Sequence, residues 1–133
     1  MLFGPRPNQI LASDDATVDI PCADATTVWS RSFSLQNGLQ FSIWLKAAGT
    51  TPRLDVFLEQ SYKLPTTEGA TDADWVVPEG NSPILNDLAD ANAHIVANIA
   101  PAVLPYGRLK IVPNVSNGNN TTLQAVLGVQ SER

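Results

Sequence analysis

Two runs near the C-terminus alternate so strictly that they fix the class of fold. In Gly107-Arg108-Leu109-Lys110-Ile111-Val112, Leu109 and Ile111 face one way while Arg108 and Lys110 face the other. In the run 122–130, Leu123, Ala125, Leu127 and Val129 share one side, and Thr122, Gln124 and Gln130 take the opposite one. A period of two marks a strand with one dry face and one wet face, because successive side chains of a strand point to opposite sides. The connecting residues 113–120 are rich in Asn, Ser and Gly, so the pair predicts a long antiparallel hairpin. A lone hairpin is marginal in water, and upstream strands must cover its apolar side.

Those strands are legible. Leu39, Phe41, Ile43 and Leu45 alternate with Gln40, Ser42, Trp44 and Lys46. Before them, Asn37-Gly38 tolerates positive φ at both residues and predicts a tight hairpin with the run 29–35. Leu54, Val56 and Leu58 alternate with Asp55 and Glu59. Shorter strands are predicted over 17–20, 75–77 and 94–99. Ser82-Pro83, followed by Ile84, Leu85, Leu88 and Ala91, predicts one or two helical turns. The chain has 133 residues, which suits one domain, with ten prolines and eight glycines to make turns. About seven short strands with turns between them predict an all-β fold, an antiparallel β-sandwich of jelly-roll-like kind, over residues 17–133. Residues 1–16 have no period, and Pro5 and Pro7 hold the backbone extended, so they predict an extended N-terminal arm. Leu2, Phe3, Ile10 and Leu11 are more apolar than a solvated tail requires. The arm therefore reads either as a frayed end or as a segment that docks on a neighbouring subunit.

Charge and rare residues narrow the function. The formal net charge is −5, with eight Lys and Arg scattered from Arg6 to Arg133, which opposes nucleic-acid binding. No apolar run approaches the length of a membrane span. Residues 1–7 lack the basic start and apolar centre of a signal peptide, so folding in the cytoplasm is expected. Cys22 is the single cysteine, which excludes an intrachain disulfide, and His94 the single histidine, which excludes a multi-His metal cluster. No Gly-x-Ser-x-Gly elbow, P-loop or dinucleotide fingerprint occurs, so no catalytic residue and no cofactor is assigned. Asp72 and Asp74 flank Ala73 without the EF-hand pattern; they read as turn surface, with a calcium ion as the alternative. Sequons at Asn114, Asn119 and Asn120 read as ordinary turn chemistry.

The three tryptophans are the remaining clue. Trp44 falls on the polar parity of its strand, and Trp29 and Trp75 lie at strand edges beside loops. Exposed aromatic rings anchor protein interfaces or stack on sugars. The opposing reading of Trp44 is a strand buried on both faces.

In layout the chain resembles small β-sandwich proteins of tailed-phage virions, the capsid decoration or cement proteins. The shared features are the expected lack of a signal peptide, a Pro-containing apolar arm, short alternating strands, few charges and an Asn/Thr-rich final hairpin. That resemblance implies a non-enzymatic virion protein on the outer capsid surface that contacts the major capsid protein and self-associates, with a trimer favoured. The resemblance carries no site to a numbered residue; the candidate interface residues are those of the apolar arm and the exposed rings, Leu2, Phe3, Ile10, Leu11, Trp29, Trp44 and Trp75. The rival expectation is a carbohydrate-binding, lectin-like or receptor-binding module using the tryptophans.

Overall fold

A computed structural model describes residues 8–12, 19–22, 26–36, 38–49, 52–63, 74–77, 82–99, 104–114 and 121–131. They form ten strands: β1 (Asn8–Ile10), β2 (Asp19–Pro21), β3 (Val28–Trp29), β4 (Phe33–Ser34), β5 (Gly38–Ala48), β6 (Leu54–Ser61), β7 (Leu85–Leu88), β8 (Ala93–Ile99), β9 (Tyr106–Pro113) and β10 (Thr122–Ser131). Two antiparallel sheets pack face to face, so the chain is an all-β sandwich, with ten short strands where about seven were expected. Sheet A runs β1-β10-β5-β8 with β2 also on β10, and sheet B runs β3-β9-β6-β7 with β4 also on β9.

Two pairs of short strands are interrupted long ones. β1 pairs with one end of β10 and β2 with the other; Leu11 N–H donates to the Ala125 carbonyl at the break between them, and Cys22 N–H to the Thr121 carbonyl past the far end of β2. β3 and β4 likewise share β9, with Ser30 N–H bonded to the Leu109 carbonyl between them. Merging each pair gives eight strands, ordered 1-8-3-6 in one sheet and 2-7-4-5 in the other. That is the order of a jelly-roll-like sandwich, in which nearly every connection crosses from one sheet to the other.

The expected hairpins are overturned by this topology. β9 lies in sheet B and β10 in sheet A, so residues 114–121 join the two sheets. β4 and β5 are divided in the same way; Asn37 itself lies outside the described residues. Alternation dictates only that each strand has one apolar face, and two strands satisfy that equally well side by side or across the core.

The alternation itself is reproduced residue by residue. Phe41, Ile43, Leu45 and Ala47 from β5 and Leu123, Ala125 and Leu127 from β10 are buried against Leu54, Val56, Leu58, Leu109 and Ile111 from sheet B. Fully burying such a side chain is worth roughly 1.5–3 kcal/mol. Gly107 also points inward. A Cβ there would stand 2.7 Å from the Phe33 ring, so the aromatic occupies the space a side chain would need.

Residues 8–12 are a second correction. The expected arm is part of the sandwich here: Asn8–Ile10 pairs with β10, and Leu11 and Ala12 are fully buried. The Leu11 carbonyl also accepts the Arg31 N–H at 3.1 Å, stitching the edges of the two sheets together. A three-residue strand shows no period, which is why it reads as irregular. Leu2 and Phe3 lie outside the described residues.

The predicted helical turn is a third. Leu85–Leu88 is a strand on the edge of β6, with Leu54 opposite Leu88, Val56 opposite Leu85 and one extra residue bulged between. Asp87 takes φ 56° in that bulge. Its N–H bonds the Asp55 carboxylate at 2.8 Å, and Arg53 clamps its carboxylate with two hydrogen bonds. Two isolated helical turns cannot repay their nucleation, whereas the edge of β6 offers unpaired backbone groups.

Candidate functional site

Among the described residues the inward positions are filled by core side chains, and the charged and aromatic side chains gather on the outer faces and edges. The outer face of sheet B carries the densest cluster of side chains. Trp29 lies opposite Lys110, which lies opposite Phe57; one row along, Arg108 lies opposite Glu59. Strand alternation points all five away from the core. Directly opposed side chains in such rows stand about 5 Å apart and interact.

Arg108 organises the cluster. Its guanidinium is 4.6 Å from the centroid of the Trp75 ring and 5.2 Å from that of Trp29, so it touches both aromatics. Its Nε donates to Glu59 Oε1 at 2.7 Å. Only 14% of the Arg108 side chain and 10% of the Glu59 side chain remain exposed. Guanidinium suits this role because its flat, weakly hydrated cation stacks on rings while its edge still meets a carboxylate. Lys110 makes a weaker version of the same contact, its Nζ 5.5 Å from the Phe57 centroid.

Trp75 reaches the cluster because Val76 exchanges two backbone hydrogen bonds with Gln60, at 2.7 and 2.9 Å, which lays residues 74–77 along the end of β6. The Trp75 Nε1–H is buried with no acceptor among the described residues. Trp29 is different: it sits on the sheet edge and is 44% exposed. It is thus a solvent-facing aromatic ring held from one side by a buried ion pair. Val76, beside Trp75, is 52% exposed.

The outer face of sheet A has another character. Ile10, Val126, Trp44 and Ile95 are cross-strand neighbours and form one apolar row across all four strands. Trp44 lies mid-row and half-buried, on the outward side of β5 that its parity predicts; Ile95 is 66% exposed. Neighbouring outward positions are small or polar: Ser42, Ala48, Ala93, Thr122, Gln124 and Gly128.

The expected interface residues therefore separate. Trp29 and Trp75 come together through Arg108 on sheet B, Trp44 and Ile10 share a row on sheet A, and Leu11 is a core residue. Arg108, Glu59, Lys110, Val126 and Ile95 escaped the sequence reading. Their outward parity was visible, but which strands place them side by side was not.

Among the described residues no group of three or more His, Cys, Asp or Glu side chains could hold a metal. Asp74 is exposed with φ 53°, and Asp72 lies outside the described residues. His94 is paired with Asp90 at 3.0 Å at the surface, and that contact holds the Asp90 carboxyl below its usual range. Cys22 is buried, its Sγ–H donating to the Ile20 carbonyl at 3.2 Å. Burial pushes its thiol up to about 12, which removes the thiolate a nucleophile needs.

No protein-family model matches the chain, and no curated protein matches it in sequence.

Proposed function

We propose that the chain is a structural, non-enzymatic subunit of a virus particle, a decoration or cement protein of the tailed-phage kind that binds the outer capsid surface and self-associates. The observation that carries this reading is Trp29, an exposed ring mounted on the Arg108–Glu59 pair at a sheet edge. Large rigid aromatics with supporting polar contacts are the residues that dominate protein interfaces. The sandwich lends a fold-level analogy only, since jelly-roll sheets serve viral capsids and lectins alike. A net charge of −5 suits an outward position on a particle better than one facing packaged nucleic acid.

The test is co-sedimentation with tailed-phage capsids stripped of their own decoration protein. Wild type should pellet at a fixed ratio to the capsid subunit, and Trp29→Ala should stay in the supernatant. Capsid binding that is indifferent to Trp29, or absent, counts against the reading.

A second reading rests on the same ring. One side of Trp29 is backed by Arg108 and the ring is open to solvent, as a platform for a sugar requires. Binding on a glycan array that disappears in Trp29→Ala, without capsid binding, would favour a lectin-like module.

A further inference from the structure

We infer that the outer face of sheet A is where the protein binds a second copy of itself, as a two-fold dimer centred on Trp44. For its purpose this rests on the structural-subunit reading above, but it uses a different face and a different measurement.

Three features select this face. The first is the row Ile10–Val126–Trp44–Ile95, four apolar side chains in register across β1, β10, β5 and β8. Ile95, at 66% exposure, is the most exposed large aliphatic side chain among the described residues. Trp44 stands inside the row, flanked by Val126 and Ile95, with small Ser42 and Gly128 in the row on one side and Gln124, Lys46 and Ala93 in the row on the other. A central aromatic in an apolar row with polar side chains beside it is the usual composition of an interface centre.

The second is charge. Two copies that each carry −5 repel unless they meet where little of that charge resides. Among the described outward positions of sheet A only Lys46 and Asp19 are charged, and they cancel. They lie in one cross-strand row, Asp19 opposite Gln124 and Gln124 opposite Lys46, with Gln124 Nε2 bonded to Asp19 at 3.0 Å. The outer face of sheet B is also balanced, but it carries four charged side chains, Asp55, Glu59, Arg108 and Lys110, so a contact there would have twice as many charges to desolvate.

The third is size. β10 has 10 residues and β5 has 11. At about 3.3 Å per residue and a width of about 4.8 Å per strand, these two strands with the 7-residue β8 and the 3-residue β1 and β2 cover on the order of 500 Å² in projection. The accessible surface of a corrugated face exceeds its projection. It therefore approaches the roughly 800 Å² that each partner of a standard interface buries.

The same patch on both partners makes an isologous contact, which closes at two copies. The inference thus favours a dimer over the trimer that the phage resemblance implies.

The test is sedimentation velocity over a concentration series, from micromolar to several hundred micromolar. Wild type should show a reversible monomer–dimer equilibrium. Ile95→Lys puts a cation onto the apolar row at a solvent-exposed site, so the fold is kept, and it should raise the dissociation constant at least ~10-fold. Lys46→Glu leaves two uncompensated acids on each face and should weaken the dimer most at low salt. Trp29→Ala, on the opposite sheet, should leave the dimer intact. A wild type that stays monomeric throughout, a trimer, or a dimer indifferent to both Ile95→Lys and Lys46→Glu would overturn the inference. Capsid binding is scored separately through Trp29, so failure of this dimer and failure of the virion reading give different results.

Discussion

Replacing Arg108 by alanine tests whether the sheet B cluster is held together as described. The substitution leaves Glu59, with a side chain only 10% exposed, without the cation that pairs with it, and removes the contacts of that cation with two indole rings. Removing one partner of a buried ion pair costs roughly 3–5 kcal/mol, because the remaining charge is desolvated and unpaired. Loss of the ring contacts adds about 0.5–2 kcal/mol. Neither side chain is completely dry, so water reaching Glu59 offsets part of this, and a net loss of about 3 kcal/mol is expected. A typical domain is stable by about 5–15 kcal/mol, so the change is large. For a chain of 133 residues it corresponds to a fall of roughly 10 °C in Tm. The assay is urea unfolding followed in parallel by tryptophan fluorescence and far-ultraviolet circular dichroism. The double variant Arg108→Met with Glu59→Gln removes both charges and keeps most of the volume, so it should recover to within about 1 kcal/mol of wild type. A loss below about 1 kcal/mol in Arg108→Ala, or a double variant no better than the single, would refute the account of Arg108 as the organiser.

Three further outcomes follow from the geometry. Leu11→Ala should cost roughly 2–5 kcal/mol in the same unfolding assay, because Leu11 is wholly buried; a negligible loss would return residues 8–12 to the status of an arm. Gly107→Ala should destabilise by about 1–3 kcal/mol, since its Cβ meets the buried Phe33 ring, and Phe33→Leu should relieve much of that loss. Arg53 holds the Asp87 carboxyl below its ordinary value of 3.8, so the pair stabilises the fold above that pH and the contribution fades as pH falls through the lower folded value. Asp87→Asn keeps a residue that tolerates positive φ, and its stability should lie below wild type at neutral pH and converge with it in acid.

Burial at the strand positions was legible in the chain itself. Leu109, Ile111, Leu123, Ala125 and Leu127 are buried where their alternation says they should be, because a strand exposes every second side chain to the same surroundings whatever its partner. The outward parity of Trp44 follows from the same rule. Partnership was not legible. β9 and β10 look like a hairpin and lie in opposite sheets, because their apolar faces are satisfied equally by lateral pairing and by meeting across the core. The short β1 and β7 carry no period of their own; they are strands because β10 and β6 offer them backbone hydrogen bonds. The site residues divide in the same way. Three exposed or edge tryptophans could be named from parity and neighbouring turns. Only the register of β9 on β3 and β6, with the Gln60–Val76 bridge, brings Arg108 to Glu59 and both rings, and only the order β1-β10-β5-β8 aligns Ile10, Val126, Trp44 and Ile95 into one row. Local sequence sets which side of a strand is dry, whereas the neighbours a wet side chain meets depend on contacts tens of residues apart.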